Sequence, residues 1–579
     1  MNAISIGVIA PQSPLVLKAA EMLKRHVKER TGIEVATAPK GQIILDIRPG
    51  IGVQGFAIED APGGAVALVG NDARGLIYGV GKFLRTSRFD DGCFTPSAWR
   101  GTSVPKRPVR GIYFASHFFN FYHAAPIEKV QRYVEELALW GCNTLAVWFD
   151  MHHFNGMPDP AAKEMVQRLR AILQAANSVG ISGALTTLAN EGYNDSPEHL
   201  RADWTAGHDG YTSPPGGHYH REVCPQVEGG LEYILKTRRE MLSAFADLNI
   251  EYVWIWPYDQ GGCTCKRCTP WGGNGLLKCA KPYAKLVREL MPAAKVVLST
   301  WYFDHFIKGE WEAFAREVGK AKPDYADYLM VDDYGDNFPQ YPLEHGVPGG
   351  LAMITFPEIS MYNMWPWGGY GANPLPRHLQ HIWDVCGKHV AGGFPYSEGI
   401  FEDMNKAVNL QHYWGDRNAM DTVREYIAYV ASPDVVDDVA VAIEIMELHH
   451  AQQHAQRGFD RPVAELKALI FPPDGGASKI PLVNAPDMPR AQECLNLIEA
   501  AQKKMNAAAR NDWRWRMIRL RAQIDVDILR TKGFHDAASD KLYHEVEAIS
   551  CAERGIHVVA PPSRQAIVRC FIDNAPPQT

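Results

Sequence analysis

The sequence predicts an α/β protein built around a (β/α)8 barrel, with a small α/β domain before the barrel and a helical domain after it. Three observations predict this arrangement. The chain has 579 residues, more than one compact core usually holds. Eight short apolar runs alternate with amphipathic helical stretches in its middle part. The last part has long helical periodicity instead.

The first domain is expected at residues 1–105. The runs "ISIGVIA", "QIILDI", "GFAIED" and "AVALVG" are typical of strands. One helix is predicted in "SPLVLKAAEMLKRHVKERTG", ending at Gly32, and another in "NDARGLIYGVGKFLRTS", capped by Asn71 or Asp72. The stretch "SVPKRPVR" then indicates a linker, since its prolines disfavour regular structure.

The barrel is expected at residues 106–431. Its eight strands are predicted in "VRGIYFASHF", "TLAVWFD", "ISGALTTLAN", "EYVWIWPYD", "KVVLSTWYFD", "DYLMVDDYGD", "LAMITFPEIS" and "VAGGFPYSEG". Amphipathic stretches such as "IEKVQRYVEELALWG" and "AAKEMVQRLRAILQAANSVG" separate most of these runs. A doubly wound sheet is the structural alternative, but eight repeats favour a closed barrel.

The third domain, expected at residues 432–579, is helical. "DVVDDVAVAIEIMELHHAQQHAQ" and "WRWRMIRLRAQIDVDILR" have long apolar periodicity. Such a domain either packs on the barrel or supplies a contact between two copies of the chain. A homodimer through this domain is therefore one expected assembly.

Composition excludes several classes of protein. The net charge is -7 and no basic block stands out, so nucleic acid is not expected as a partner. No apolar run reaches the ~20 residues that cross a bilayer, and the first residues lack the basic and apolar segments of a signal peptide. A cytoplasmic location is expected, although a signal removed earlier would leave the same sequence. Neither a phosphate-binding loop nor a GxSxG motif is present.

Acids and aromatic residues follow nearly every predicted barrel strand. Function in such barrels lies at the C-terminal ends of the strands. A single acid at a strand end is about as often a helix cap or loop residue as a functional one. Acids after seven of the eight strands indicate more than capping. Paired carboxyls suit glycosidic bond cleavage, in which one protonates the leaving oxygen and the other is the base or nucleophile. The candidate catalytic acids are Asp259, Asp332, Asp333, Glu358 and Glu398.

The same strand ends supply candidate substrate-binding residues. Trp148, Trp256, Trp301, Trp365 and Trp367 are predicted to form a subsite for sugar rings, because indoles stack on flat apolar faces. The other candidates for contact with sugar hydroxyls or rings are His117, Asp150, His152, His153, Asn190, Glu191, Tyr258, Tyr302, Tyr334 and Tyr396.

The stretch "DQGGCTCKRC" places a cysteine cluster just after the fourth predicted strand. The chain has 11 cysteines, an odd number, and Cys263, Cys265, Cys268 and Cys279 lie close together in sequence. This spacing predicts a structural zinc site with four thiolate ligands, while catalysis itself needs no cofactor. Cys279 is the weakest ligand of the four, and Cys224 or a histidine is the expected replacement. Free thiols in a loop are the alternative.

The order of the three domains resembles glycoside hydrolase family 67, the α-glucuronidases. The first domain, with "GFAIED" and "NDARGLIYGVGKFLR", resembles the domain that precedes the barrel in β-N-acetylhexosaminidases. "DQGGCTCKRC" and "YSEGIFEDMNK" look like segments of a branch of barrel proteins related to these enzymes. The resemblance implies an inverting glycosidase with an acid after strand four and base-side carboxylates after strands six and seven.

Carried onto this sequence, the resemblance makes Asp259 the general acid. Asp332 or Asp333, together with Glu358, would lie on the base side, and Glu398 is held in reserve. Asp333 is favoured over Asp332, because Leu329 and Val331 share its alternation and branched residues fill barrel interiors. The family's acid is a glutamate, whereas this chain has an aspartate. The hexosaminidases have two neighbouring acids after strand four, whereas here Asp259 is followed by Gln260. The substrate-assisted mechanism of the hexosaminidases is therefore disfavoured.

The leading hypothesis is an exo-acting glycoside hydrolase with a two-carboxylate, inverting mechanism. Its substrate is a terminal sugar of an oligosaccharide or glycoconjugate, with a uronic acid as one candidate. The alternatives are a β-N-acetylhexosaminidase-like enzyme, a carbohydrate-binding barrel without turnover, and a metal-dependent hydrolase or lyase that uses the histidines near the strand ends.

Overall fold

The structure is a computed structural model. It describes residues 4–116, 120–204, 221–257, 262–333, 338–359, 372–449, 461–482, 488–551 and 564–567. No helix in these ranges is long and apolar enough to cross a bilayer.

The N-terminal unit is a sheet with helices packed against it. Its strands are β1 Ile4–Val8, β2 Val35–Thr37, β3 Ile43–Ile47, β4 Phe56–Ala61, β5 Ala65–Gly70, β6 Arg88–Asp90, β7 Cys93–Thr95 and β8 Gly101–Ser103. Its helices are α1 Pro14–Thr31 and α2 Ala73–Arg85. Six of the strands form one sheet in the order β2-β1-β3-β5-β4-β8, parallel except at β4, and β6 pairs separately with β7.

The ends of both helices follow from local sequence. Gly32 ends α1 in the left-handed region with φ 76°, where a Cβ is unfavourable, and its N–H bonds the Lys28 carbonyl. Asp72 caps α2, since its side chain accepts a hydrogen bond from the Gly75 amide. Of the two predicted caps, Asn71 and Asp72, the second is therefore confirmed. Asn71 instead accepts hydrogen bonds from the amides of 50–52.

The central unit is a closed parallel barrel, as predicted. Its strands are β9 Val109–Phe114, β10 Thr144–Trp148, β11 Ser182–Leu188, β12 Ile250–Trp256, β13 Lys295–Ser299, β14 Tyr328–Asp333, β15 Ala352–Pro357 and β16 Val390–Gly393, followed by the short β17 Tyr396–Ser397. Every neighbouring pair is parallel, and β9 pairs with both β10 and β16, which closes the sheet. The doubly wound alternative is thereby excluded.

Helices surround the barrel. They are α3 Phe121–Ala124, α4 Ile127–Leu139, α5 Pro160–Ser178, α6 Gly230–Ser243, α7 Leu277–Leu290, α8 Glu310–Val318, α9 Gln340–His345, α10 Pro376–Cys386 and α11 Asp403–Gly415. The chain continues into further helices: α12 Ala419–Val430, α13 Val436–Leu448, α14 Val463–Ile470, α15 Ala491–Gln502, α16 Ala507–Asn511, α17 Trp513–Thr531, α18 Ala537–Cys551 and α19 Arg564–Ile567.

Aromatic rings fill much of the barrel interior. The residues buried there include Val109, Tyr113, Ala146, Trp148, Ala184, Leu188, Tyr252, Trp254, Trp256, Val297, Met330, Ile354, Phe356 and Phe394. Trp254 is fully buried at their centre, with its ring centroid 4.6 Å from that of Phe394 and 5.6 Å from that of Tyr113. Gly111 makes room for this packing, because a Cβ there would lie 2.2 Å from the Phe394 ring.

A buried carboxylate joins the N-terminal unit to the barrel. Glu425 of α12 lies 2.8 Å from Arg85 and 2.7 Å from Lys82, both of α2, and 2.6 Å from Arg417. Burial opposes the charge of Glu425, but these cations together hold its pKa well below the usual range. The pairing between α2 and α12 thus holds the first sheet against the barrel.

A second buried ion pair joins the C-terminal helices to the barrel. Arg514 Nε of α17 lies 2.7 Å from Asp403 Oδ2 at the start of α11. Tyr426 donates a hydrogen bond to the same oxygen, at 2.7 Å. Burial alone would raise the pKa of Asp403, yet Arg514, Lys406 and the Tyr426 hydrogen bond lower it.

Loss of Arg514 should therefore destabilise the protein strongly. Arg514→Gln leaves Asp403 buried without its cation, and we expect the free energy of unfolding to fall by about 3–5 kcal/mol. Urea unfolding measures the difference. Arg530→Gln is the control, because the Arg530 side chain is half exposed and its pairs with Asp527 and Asp536 are worth at most about 1 kcal/mol. Equal losses in both variants would contradict the assigned role of the Asp403–Arg514 pair.

Candidate active site at the barrel mouth

The alternation of the strands delivers carboxyls to the C-terminal mouth of the barrel. Successive residues of a strand point to opposite faces, so the second residue after an interior side chain continues the inner face. Four acids hold such positions: Asp150 follows Trp148, Asp332 follows Met330, Glu358 follows Phe356, and Glu398 follows Tyr396. The mouth is therefore acidic and lies directly above the aromatic interior.

This alternation reverses the expected choice between Asp332 and Asp333. The preference for Asp333 assumed that Leu329 and Val331 line the interior. They pack instead in the large core outside the barrel, whereas Met330 and Tyr328 belong to the interior. Asp332 accordingly continues the inner face. The side chain of Asp333 lies outside the described part of the structure.

Glu358, Tyr396 and Glu398 form a compact group on neighbouring strands. Glu358 pairs with Tyr396 in a parallel bridge next to β15, and the Tyr396 hydroxyl donates a 2.5 Å hydrogen bond to Glu398 Oε1. Burial raises the pKa of Glu398 to about 8, and the charges of Glu358 and Glu402 act in the same direction. The Tyr396 hydrogen bond opposes the rise but is the weaker effect.

A buried polar network lies beneath Glu398. The Ser397 hydroxyl donates to Glu402 Oε1 at 2.7 Å, and the Gly399 amide donates to the same oxygen at 3.2 Å. Lys406 Nζ bonds the hydroxyls of Tyr122 and Tyr133 at 2.8 and 2.7 Å. These contacts hold the turn between β17 and α11, and with it the backbone that carries Glu398.

Asp332 is a second carboxyl with a raised pKa. Burial raises its pKa to about 7, although a hydrogen bond from the Tyr302 amide favours the ionised form. Tyr302 has φ 57° and Asp304 has φ 64°, conformations that are unusual for residues with a side chain. Strained backbone of this kind is concentrated at functional sites. The turn after β13 thus directs the Tyr302 amide towards Asp332.

An aromatic wall stands beside these acids. The Trp301 ring centroid lies 5.3 Å from that of Trp256 and 4.6 Å from that of Tyr302. Phe356 contacts Trp256 edge-on at 4.8 Å. Trp301 and Tyr302 are partly exposed, whereas Trp256 is buried. The two partly exposed rings are the ones that can stack on a sugar.

Histidines and acids group at the end of β10. His153 Nδ1 lies 2.7 Å from Asp150 Oδ2, and His152 Nδ1 lies 2.8 Å from Glu191 Oε1. Burial opposes the charge of His152, but Glu191, Asp150 and Glu222 raise its pKa overall. Asp150, His152 and His153 each offer one ligand atom within 4.8 Å of the others, so together they could hold a metal ion.

Asn190 has an architectural role in the structure. Its side chain is buried, and its amide group donates to the carbonyls of Val223 and Gly262, both at 3.1 Å. These bonds join the segment around Cys224 to the loop after β12. Glu191 is likewise buried and bonded to His152, so neither residue presents its side chain openly to the mouth.

The predicted metal ligands need one correction. Cys263, Cys265 and Cys268 cluster as expected, but their fourth neighbour is Cys224, with all four sulfur atoms within 4.8 Å of one another. Cys279 is buried in α7 and does not belong to this group. The helix that follows the loop directs Cys279 into the core, while the Asn190 hydrogen bonds bring Cys224 to the cluster.

Several predicted residues lie outside the described part of the structure. They are His117, Tyr258, Asp259, Tyr334, Trp365 and Trp367. The general acid expected at Asp259 and the two tryptophans after strand seven therefore stay predictions.

Sequence reasoning missed some residues that shape the mouth. Trp254 and Phe356 form its floor, and Glu402 adds the buried charge that raises the pKa of Glu398. Glu402 lies in the segment "YSEGIFEDMNK", too far from a predicted strand end to be selected as a candidate. Alternation with Trp256 and Glu358 could have identified Trp254 and Phe356 as interior residues.

The arrangement offers two carboxyls on neighbouring strands, one of them with a strongly raised pKa. Glu398, with a pKa of about 8, holds a proton near neutral pH, and Glu358 on the neighbouring strand is the second carboxyl of the pair. A group that starts protonated can donate to a leaving oxygen. The aromatic floor excludes water from below, which favours such chemistry.

Comparisons with known proteins agree on the fold. No protein-family model and no curated protein matches the sequence. A family GH115 4-O-methyl-α-glucuronidase with specificity for decorated arabinogalactans matches with a TM-score of 0.61 at 11% identity, over 94% of this chain and 76% of that chain. A GH138 enzyme targeting the pectin rhamnogalacturonan II matches with a TM-score of 0.53 at 13% identity, over 94% and 72%.

The N-acetyl-β-hexosaminidase of Streptomyces plicatus also matches, with a TM-score of 0.52 at 14% identity, over 78% of this chain and 91% of that chain. At such low identity these likenesses show the fold alone. The barrel architecture expected from the resemblance to α-glucuronidases and hexosaminidases is thereby confirmed.

The raised pKa of Glu398 predicts a pH-dependent contribution to stability. The native state keeps a proton that the unfolded chain releases above about pH 4.5. The contribution is complete below that pH, falls as pH rises towards about 8, and is constant beyond. The melting temperature of wild type minus that of Glu398→Gln should follow this course. Tyr396→Phe removes the opposing hydrogen bond and should extend the fall to higher pH, whereas a pH-independent difference would contradict the assignment.

Proposed function

We propose that this protein is a glycoside hydrolase that removes a terminal sugar from an oligosaccharide or glycoconjugate. The observation that carries the proposal is the pair of neighbouring carboxyls, Glu358 and Glu398, above an aromatic floor and beside Trp301 and Tyr302. The barrel fold it shares with glycoside hydrolases supports the same reaction class. Fold likeness alone would not establish the reaction, because many chemistries use this barrel.

In this proposal Glu398 is the general acid. Its pKa of about 8 keeps it protonated at neutral pH, and the Tyr396 hydroxyl holds the carboxyl in place. Glu358 acts as the ionised base or nucleophile on the sugar's anomeric carbon. As Glu398 loses its proton, the Tyr396 hydrogen bond strengthens and stabilises the new carboxylate.

The assignment of Asp259 as general acid is the rival within the same proposal. There Asp332, Glu358 and Glu398 lie on the base side, and the enzyme inverts the anomeric configuration. Inversion requires acid and base carboxyls about 6.5–9.5 Å apart, to leave room for a water molecule. NMR of the first-formed anomer distinguishes inversion from retention.

A uronic acid is the proposed sugar at the finer level. The resemblance to α-glucuronidases suggests it, and the GH115 enzyme that this fold matches acts on a 4-O-methyl-glucuronic acid linkage. His152, whose pKa is raised overall although burial opposes its charge, is a basic side chain near the mouth that could approach a substrate carboxylate. A panel of aryl glucuronides, glucosides and N-acetylglucosaminides tests this choice and the hexosaminidase alternative together. Saccharide binding without any product would support a non-catalytic barrel.

Metal-assisted hydrolysis is the second candidate function. It is favoured by Asp150, His152 and His153, whose ligand atoms lie close together, and by Glu191, which holds the His152 ring. A metal there would activate a water molecule. Three results together would favour this candidate over the carboxyl pair. A chelator abolishes activity, a divalent ion restores it, and the His153→Ala variant is inactive.

The carboxyl roles predict how variants respond to the leaving group. Glu398→Gln should lower kcat about 10²–10⁴-fold on a glycoside with a poor leaving group, because protonation of the leaving oxygen is lost. It should retain most activity on a 2,4-dinitrophenyl glycoside, which leaves without a proton. Glu358→Gln should lose activity on both substrates. Steady-state kinetics on the two substrates provide the measurement.

Glu447→Gln is the matched control for this experiment. Burial raises the pKa of Glu447 to about 7, but Glu447 caps α10 through the amides of Arg377 and His378, away from the mouth. Its kcat should be unchanged. If Glu398→Gln kept full turnover on the poor leaving group while Asp259→Asn lost it, the acid would be Asp259 instead.

A further inference from the structure

Four cysteine sulfurs meet in one cluster next to the barrel mouth. Cys263, Cys265 and Cys268 come from the loop after β12, and Cys224 comes from the segment before α6. Cys224, Cys263 and Cys268 are buried, and Cys265 is partly exposed. Two stretches of chain that are distant in sequence therefore converge on a single point.

The distances between the sulfurs fit a tetrahedron. Cys224 Sγ lies 3.8 Å from both Cys265 Sγ and Cys268 Sγ. A zinc ion binds thiolates at about 2.3 Å, and tetrahedral angles then separate the sulfurs by about 3.8 Å. A disulfide would need about 2.05 Å between the two sulfurs. The spacing thus suits four ligands around one ion.

The surrounding backbone supports this arrangement. Cys265 accepts hydrogen bonds from the amides of Cys268 and Thr269 at 2.9 and 3.0 Å, which curls the loop around the sulfurs. Gln226 Nε2 donates to the Arg267 carbonyl at 3.2 Å and joins the two segments a second time. Buried thiols make only weak hydrogen bonds, so hydrogen bonding between the sulfurs is a poor reason for bringing four of them together.

We propose that Cys224, Cys263, Cys265 and Cys268 bind one zinc ion as four thiolates in a closed structural site. With all four positions taken by protein, no position remains for water or substrate, so the ion performs no chemistry. Its role is to tie the segment around Cys224 to the loop after β12. Binding releases the thiol protons to solvent and involves no change of oxidation state.

Hydrogen bonds of Asn190 and Trp271 link the cysteine cluster to the barrel mouth. Asn190 lies two residues beyond β11 and donates to the carbonyls of Val223 and Gly262, one in each tied segment. Trp271 Nε1 donates to the Pro257 carbonyl at 3.1 Å, just beyond Trp256. The zinc ion accordingly holds the end of β12 in its place at the mouth.

The first experiment measures metal in the full-length protein. Protein purified without chelator under reducing conditions should contain one zinc per chain by elemental analysis. Zinc X-ray absorption should show four sulfur ligands at about 2.3 Å. Replacement by cobalt should give the intense charge-transfer bands of tetrahedral cobalt thiolate. Protein that neither contains zinc nor takes up zinc or cobalt would overturn the proposal, and a red protein with bound iron would overturn the assignment of zinc.

The second experiment compares two cysteine variants. Cys224→Ser should lose the stoichiometric zinc or bind it far more weakly. Cys279→Ala is the matched control, since Cys279 is a buried thiol in α7 that lies outside the cluster, and it should keep one zinc. If Cys224→Ser kept its zinc and Cys279→Ala lost it, the proposed set of ligands would be overturned. If Cys224→Ser fails to fold, X-ray absorption of wild type and of Cys279→Ala still decides, because only four sulfurs in both agree with the proposal.

Discussion

The packing of aromatic rings inside the barrel is the constraint on which the mouth depends. Trp254 at the centre contacts Tyr113, Trp256, Phe356 and Phe394, so aromatic rings occupy the middle of the interior, with aliphatic side chains around them. These rings set which face of each strand points inwards. The acids that follow on the same face must then emerge at the mouth, above a floor that excludes water. Burial at this place raises the pKa values of Asp332 and Glu398.

The elements around the barrel keep this arrangement rigid. Beneath Glu398, the carboxylate of Glu402 bonds Ser397, and Asp403 is paired with Arg514 of the C-terminal helices. On another side, the Cys224 segment is joined to the loop after β12 by Asn190. The helical region therefore reaches the mouth through α11, although it supplies none of the described acids there.

Much of the fold could be predicted from sequence, because it depends on local patterns. Seven of the eight barrel strands lie within the predicted runs, and β12 begins one residue before its run, at Ile250. Gly32 ends α1 and Asp72 caps α2, as predicted. The reason for preferring Asp333 does not hold, because Leu329 and Val331 pack outside the barrel while Met330 lies inside it. The sequence predicts Cys279 as the fourth ligand with Cys224 as an alternative, and the choice needs the folded chain, because Cys224 is 41 residues before Cys265. The raised pKa of Glu398 likewise depends on Glu402 and on burial that no motif encodes.

The row of tryptophans at the mouth gives the protein an optical property. Trp254 and Trp256 are stacked with centroids 6.1 Å apart and an angle of 21° between their planes, and Trp301 lies 5.3 Å further along. Indoles this close couple through their electronic transitions, so we expect the three rings to contribute jointly to the circular dichroism. A ligand that settles on Trp301 would alter the coupling along the whole row. Circular dichroism of the unlabelled protein could then follow occupancy of the mouth directly.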